Sequence, residues 1–215
     1  MLFPTHSLTC RIYRYYWVGR ILPQQLVQSH QYFHFLLENL PKHYTYHTIE
    51  HIRDVVKQAE RIAKKEKVEK SVIQDIKLAA WLHDVGYIWE PGRHEARGAE
   101  YATSILTEMK FPKSKISLIT GMIMATKIPQ SPKNHFEQIL CDADLDYLGR
   151  DDYALNSNNL LQEIELTKKL KTKEWLQIQE KFLNAHTYFT PTSQKLRNKS
   201  KQLTVLNIQE QLKNI

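Results

Sequence analysis

Apolar residues recur at steps of three and four along most of this chain, and that spacing restricts the fold more than any other feature. One such run carries Ile49, Ile52, Val56, Ala59 and Ala63. These steps place side chains on one face of an α-helix, whereas a half-buried strand needs strict alternation. The chain has no alternating run of useful length, and it holds only 6 glycines and 8 prolines. The sequence therefore predicts an all-α fold.

Local signals predict where several of these helices begin and end. Residues 71–74 fit a capping box, and Gly86 fits the end of the helix that follows. Ser114 can cap a later helix. Thr190 and Pro191 fit the N-cap and the first position of a last helix. That helix is expected to carry Leu196, Leu203 and Leu206.

The length of 215 residues suits one substantial core with additions. We predict an N-terminal extension at 1–25, a helical core that carries the functional site at 26–155, and further helices packed on it at 156–215. The two cysteines, Cys10 and Cys141, do not form a disulfide framework. The first twenty residues lack the features of a signal peptide, and no stretch approaches the roughly 18 apolar residues of a membrane span. A cytoplasmic location without membrane contact is expected.

The net charge of +7 is compatible with nucleic acid, an acidic surface or small phosphorylated substrates as partners. Much of the lysine lies after Leu166, outside the candidate site, and we interpret it as a solvated face. Tyr13, Tyr15, Tyr16 and Trp17 lie among arginines and could stack on unpaired bases. Because they equally make a helix-packing face, nucleic-acid processing is the least favoured hypothesis. Homo-oligomerisation is left open.

Polar groups that belong together in metal sites stand on or beside the apolar stripes. His51 flanks the stripe of its helix, and His47 is expected one turn earlier on the same side. His83 continues the face of Ile76 and Ala80, with Asp84 directly after it. Asp144 falls within the stripe of Phe136, Leu140 and Leu148, with Asp142 and Asp146 to either side. A buried carboxylate needs a metal, several hydrogen bonds or a base, for which Arg150 is the structural alternative.

The order His51, then His83-Asp84, then Asp144, after a Tyr46-His47 start, resembles the HD superfamily of metal-dependent phosphohydrolases. The likeness spans about residues 40 to 150. It implies a helical bundle in which those four residues hold a divalent ion. Nitrogen and oxygen donors suit Mn, Fe, Co, Ni or Zn, and Mg²⁺ less well.

The resemblance also implies hydrolysis of a phosphoester or phosphoanhydride by metal-activated water, with Asp84 and His47 as the catalytic residues. His47 is the candidate acid for the leaving group. Lys127 and Arg97 are candidate phosphate contacts, and His94 is either a phosphate contact, a ligand of a second ion or a surface residue. The expected substrate is a nucleotide or another small phosphorylated compound.

This chain departs from several branches of that superfamily. Alarmone hydrolases carry Glu-Asp soon after the His-Asp pair, and deoxynucleotide 5′-phosphatases carry a Glu three residues after the Asp, where this chain has Val85-Gly86-Tyr87. Residues 122–125 lack the paired His of the cyclic-dinucleotide phosphodiesterases. A single-metal site is therefore favoured. The alternative function is a non-catalytic regulatory module that binds a metal and a nucleotide.

Overall fold

The computed structural model describes residues 35–36 and 38–215, and within that part it has eight α-helices and no strand, as the sequence predicts. The proposed extension at 1–25 lies outside the described residues. Short 3₁₀ turns cover Val85–Ile88, Pro91–Arg93 and Asp146–Gly149. The helices are α1 Ile49–Lys65, α2 Lys70–Leu82, α3 His94–Glu108, α4 Lys113–Ala125, α5 His135–Asp144, α6 Tyr153–Ile164, α7 Thr172–Ala185 and α8 Pro191–Lys213.

Helix α1 shows why these sequences become helices. The Thr48 side chain caps it by accepting a hydrogen bond from the backbone N–H of His51, a contact of a kind that stabilises a helix by about 1 kcal/mol. Glu50 lies in the first turn and Lys64 and Lys65 in the last, which suits the helix dipole. The predicted stripe is buried, so α1 is held in place mainly by its apolar face.

Two clusters of buried side chains form the core. The first contains residues of α1 to α5, where α3 packs on α4 and α1 packs on both α2 and α5. The second joins Tyr46, the turn 146–149, α7 and α8. The division near residue 155 stays a prediction, and this second cluster includes residues on both sides of it.

Asp146 connects the C-terminal helix to the core. Its fully buried carboxylate accepts hydrogen bonds from Arg61 on α1 at 2.9 Å and from Arg197 on α8 at 2.8 and 2.9 Å. Arg150 Nη1 lies 3.5 Å away. A β-carbon on Gly149 would come within 2.6 Å of the Arg197 carbonyl oxygen, so the backbones meet closely at this point.

Three of the predicted helix boundaries are wrong. Helix α2 begins at Lys70 after Glu69, without a side-chain cap, so Ser71 lies inside it. Helix α4 begins directly after Pro112, whose φ of −57° suits a helix start, so Ser114 is also internal. Helix α2 ends at Leu82, and Gly86 belongs to the following 3₁₀ turn. The cap at Thr190 is confirmed, since its side chain accepts from the Ser193 N–H.

The last helix buries a face other than the three leucines that mark it in the sequence. Val205 and Ile208 are buried, whereas Leu196, Leu203 and Leu206 are 38%, 58% and 52% exposed. None of the helices that the structure describes combines the length and apolarity needed to cross a bilayer.

Candidate metal centre

Residues at or near helix ends supply the donors of the candidate metal centre. His51 lies in the first turn of α1, and Asp144 is the last residue of α5. His83 and Asp84 follow the end of α2, and His47 precedes the Thr48 cap. His47, His83 and Asp84 therefore lie just outside the helices, and the expectation that His47 lies one helical turn before His51 is wrong. Helix ends bring side chains from different helices to one point.

The four predicted ligands meet in space. His51 Nε2 lies 3.3 Å from Asp144 Oδ1 and 3.4 Å from Asp84 Oδ2. His83 Nε2 lies 3.5 Å and 3.2 Å from the same two atoms. Ligands about 2.1 Å from a shared ion are roughly 3.0–3.4 Å apart at octahedral or tetrahedral angles. The separations therefore fit donors that surround one ion.

Three buried donor atoms at this point lack hydrogen-bond partners in the described part of the chain, as expected for atoms that bind a cation. His51 Nε2, His83 Nε2 and Asp84 Oδ2 are buried, and none has a hydrogen-bond partner among the described residues. His83 Nδ1 lies 2.8 Å from the Ala80 carbonyl oxygen, to which it donates, so the lone pair of Nε2 faces the site. Because an unpaired buried polar group is costly, a cation bound here would satisfy all three atoms.

The charges of the four groups favour metal binding. Burial would raise the pKa of Asp144, but the nearby imidazoles of His51 and His83 lower it to about 2. The pKa of Asp84 is likewise held well below its usual range, mainly by His83, against the effect of burial. Burial would lower the pKa of His51, but Asp144 and Asp84 raise it to about 9. The two negatively charged carboxylates are therefore stabilised by a nearby positive charge. A bound divalent ion would supply this charge and would replace the protons on the imidazoles.

His47 does not touch these four atoms and is held from both sides. Its Nδ1 pairs with Glu163 Oε1, and its Nε2 lies 2.8 Å from the Tyr87 hydroxyl. Glu163 also accepts from the backbone N–H groups of Tyr46 and His47, at 3.0 and 3.1 Å. Burial would raise the pKa of Glu163, yet its bond to His47 lowers it, so the carboxylate is charged. The result is an oriented imidazole beside the metal centre.

His94 approaches the centre from the start of α3. Its Nδ1 lies 2.9 Å from the Pro91 carbonyl oxygen, and its Nε2 lies 3.7 Å from Asp84 Oδ1 and 3.4 Å from Glu95 Oε1. A β-carbon on Gly86 would come within 1.9 Å of the His94 carbonyl oxygen. The glycine after the His-Asp pair is therefore needed for the close approach of this segment.

The two basic residues singled out in the sequence lie elsewhere. Arg97 donates to Glu90 and Glu100, at 2.7 and 2.8 Å, and Lys127 is exposed; neither lines the cavity described below. Arg150, the alternative partner of Asp144, instead pairs with Asp54 and Asp152 and lies near Asp146. These contacts exclude Arg150 as the group that neutralises Asp144.

Asp142, Asp146 and Cys141, which lie near Asp144 in the sequence, contribute to packing and not to the metal centre. Asp142 and Asp146, which the sequence places to either side of the stripe, are more deeply buried than Asp144. Asp142 accepts from the backbone N–H groups of Phe189 and Thr190, each at 2.8 Å. Cys141 is buried in the core, and burial raises the pKa of its thiol.

A cavity of about 270 Å³ opens beside the metal centre. Asp84, Asp144, His47, His94 and Glu95 line one part of it, and side chains of α6, α7 and the turn 146–149 make up most of the other lining. The second part is mainly apolar and aromatic, and none of the described residues that line the cavity is a lysine or arginine. Its apolar lining residues include Tyr46, Tyr87, Tyr147, Leu148, Tyr153, Leu160, Ile164, Trp175, Ile178 and Phe182.

Glu95, Glu163 and Gln179 lie at or beside the cavity, but the sequence does not identify them. Tyr87 stands out in the sequence only as a position where the chain differs from branches of the HD superfamily. Glu163 and His47 are separated by 116 positions, so no local pattern joins them. Glu95 directly follows His94, and that adjacency is the one signal in the sequence that could have found it.

The helical domain gathers two imidazoles and two carboxylates at one point, and a group of this kind could hold a metal ion. The family model for the HD domain matches residues 48–146, which contain all four donors. This part of the chain is therefore similar to HD domains. The donor set and the family together support a metal-dependent hydrolase.

Solved structures resemble the chain over most of its length. A predicted HD superfamily hydrolase from an uncultured Thermotogales bacterium is 25% identical, with a TM-score of 0.59, covering 86% of this chain and 91% of that one. Bacillus subtilis YpgQ, solved in complex with ADP, is 17% identical, with a TM-score of 0.64 and coverage of 89% and 96%. A Lactobacillus plantarum protein is also 17% identical, with a TM-score of 0.63 and coverage of 91% and 100%. A search of the curated proteins finds no match.

Proposed function

We propose that this protein is a phosphohydrolase that uses one divalent transition metal ion to cleave a phosphoester or phosphoanhydride. The substrate is a nucleotide or another small phosphorylated compound. His51, His83, Asp84 and Asp144 hold the ion. When bound, it lowers the pKa of a water molecule towards about 7 and polarises the phosphoryl group.

The observation that carries this proposal is the set of buried, unpartnered atoms on His51, His83 and Asp84, which lie close to Asp144 beside a cavity that Asp84 and Asp144 line. A structural ion has no need of an adjoining cavity, whereas a hydrolytic ion must reach both water and substrate. The cavity beside the donors therefore favours turnover.

His47 is the proposed general acid. Its Nδ1–H donates to the charged Glu163, and its Nε2 faces the Tyr87 hydroxyl at the cavity wall. In its protonated form, the imidazolium can deliver the Nε2 proton towards the leaving-group oxygen. Glu163 acts as a positioning residue, because it fixes the orientation of the ring.

The phosphate is expected to bind between the ion, His47 and His94, because the described cavity lining has no lysine or arginine. Lys127 and Arg97 stay weaker proposals as phosphate contacts, since Arg97 is paired with Glu90 and Glu100. The ADP bound by Bacillus subtilis YpgQ makes adenine nucleotides a reasonable part of a substrate panel.

The direct test is phosphate release from nucleoside mono-, di- and triphosphates and sugar phosphates, with Mn²⁺, Co²⁺, Ni²⁺, Zn²⁺ and Mg²⁺ supplied separately. We expect metal-dependent turnover of at least one compound, abolished by chelation and in Asp84→Ala. Tight nucleotide binding without turnover in any metal would favour the regulatory module instead.

We predict that His47→Ala lowers turnover about 10²–10⁴-fold while leaving the metal content of the protein unchanged, because His47 moves a proton and does not ligate. The matched control is His43→Ala, which removes an exposed imidazole four residues earlier and should keep full activity. Loss of the ion in His47→Ala, measured by elemental analysis, would make His47 a ligand. Turnover equal to that of the control would exclude it as the acid.

A further inference from the structure

The part of the cavity that α6 and α7 line contains no metal ligand, and its side chains differ in chemistry from those near the metal centre. Tyr153 and Ser157 on α6 and Trp175 and Gln179 on α7 line it, together with apolar side chains. Tyr147 and Tyr153 are stacked at 6.3 Å with an interplanar angle of 14°. Such a wall suits a flat, weakly polar group better than a second phosphate, because neither α6 nor α7 contributes a lysine or arginine to the described lining.

Gln179 is the polar exception in this wall, and its orientation is fixed. Its side-chain oxygen accepts from the Tyr153 hydroxyl at 2.7 Å and from the Ser157 hydroxyl at 2.6 Å. The residue is only 8% exposed, and both of its described side-chain hydrogen bonds involve the oxygen and not the amide nitrogen. A buried amide held by its oxygen presents its N–H groups as fixed donors.

We propose that this wall is a specificity pocket for the leaving group of the substrate. The leaving group is an aromatic ring that bears a hydrogen-bond acceptor, and Gln179 recognises that acceptor. The aromatic side chains enclose the faces of the ring, and Gln179 Nε2 donates to a ring nitrogen or carbonyl oxygen. The substrate class is then a phosphate ester or anhydride of a nucleoside, or of a similar heteroaromatic alcohol. This inference rests on the proposed function for the hydrolytic step alone.

The size of the cavity agrees with that assignment. Pockets for drug-sized ligands occupy roughly 300–1,000 Å³, and this cavity measures about 270 Å³. One ring system with its sugar and a single phosphate is therefore a better match than a dinucleotide or a polymer. Gln179 is a specificity residue in this account and takes no part in bond cleavage.

The test compares substrates that differ only in the ring. With the metal that supports turnover, wild-type kcat/KM for adenosine and uridine 5′-monophosphates should exceed that for ribose 5-phosphate by about 10- to 100-fold, given the usual contribution of base stacking. Gln179→Leu and Gln179→Glu should each lower the values for the nucleotides about fivefold or more through KM, because one donor is lost. Values for phenyl phosphate, which has no acceptor on its ring, should change by less than twofold. Gln177→Leu, an exposed change on the same helix, is the matched control.

Binding separates this inference from the proposed function. Calorimetric titration of the full chain with adenosine or uridine needs no hydrolysis, and we expect binding by wild type that is weakened at least fivefold in Gln179→Glu, and no binding of ribose. If no compound is hydrolysed but the nucleosides bind in this way, the pocket stands and the hydrolase fails. Equal kcat/KM for nucleotides and ribose 5-phosphate, or nucleotide kinetics unchanged in a folded Gln179 variant, would overturn the pocket. If Gln179→Leu does not fold, Gln179→Glu and the wild-type comparison still decide.

Discussion

Asp84→Ala is expected to reduce metal-dependent phosphate release by at least about 10²-fold. Its Oδ2 lies 3.4 and 3.2 Å from the two imidazole nitrogens, and its Oδ1 faces His94, so the change removes the carboxylate that connects these groups. Even residues that only orient a metal ligand typically contribute 10–100-fold to affinity or activity, and a ligand should contribute more. The measurement is kcat/KM at a series of metal concentrations.

Asp84→Asn is the informative companion to that variant. It keeps the shape and one oxygen donor but removes the charge, so raised metal concentration should recover part of its activity, while Asp84→Ala should stay inactive. Circular dichroism of both variants verifies the fold. Turnover at the wild-type level in a correctly folded Asp84→Ala protein would contradict the proposed mechanism.

The largest effect on stability is expected at Asp146. Its carboxylate is completely buried and accepts from Arg61 and Arg197, with Arg150 Nη1 at 3.5 Å. Asp146→Ala leaves these guanidinium groups without their shared anion, and removing one partner of a buried ion pair costs about 3–5 kcal/mol. Urea unfolding followed by circular dichroism should show a free energy of unfolding lower by that amount.

Asp151→Ala is the matched control for Asp146. It removes an exposed carboxylate five residues along the chain, and it should change the free energy of unfolding by less than about 0.5 kcal/mol. If the two variants unfold at the same urea concentration, the arginine cluster does not hold α8 to the core in the way described.

The helices and the metal ligands are the features that the sequence predicts best. The stripe of α1 is a periodic signal over seventeen residues, and tertiary packing reinforces it. His51, His83, Asp84 and Asp144 are recognisable because their order along the chain resembles a known family. Helix starts are harder to predict. Ser71 and Ser114 could each act as an N-cap, but both helices begin before these serines, at Lys70 and Lys113.

The surroundings of the site escape sequence analysis because they depend on contacts between distant residues. Glu163 on α6 contacts His47, and Gln179 on α7 lines the cavity. No periodic pattern in the sequence identifies either residue. Asp142 and Asp146 stand beside Asp144 in the sequence, yet they stabilise the path and packing of α8. Charge alone is also a poor guide, because Arg97 is committed to neighbouring glutamates.

The most direct test of the central claim is the metal content of the purified protein, measured by elemental analysis together with calorimetric titration of Mn²⁺ into the chelated chain. We predict one tightly bound transition metal ion per chain in wild type and in His135→Ala, an exposed imidazole on α5. In His51→Ala and His83→Ala, the ion should be lost or bound at least about 10²-fold more weakly. A wild-type protein that binds no divalent ion, or a His51→Ala protein that binds it unchanged, would contradict the proposed centre.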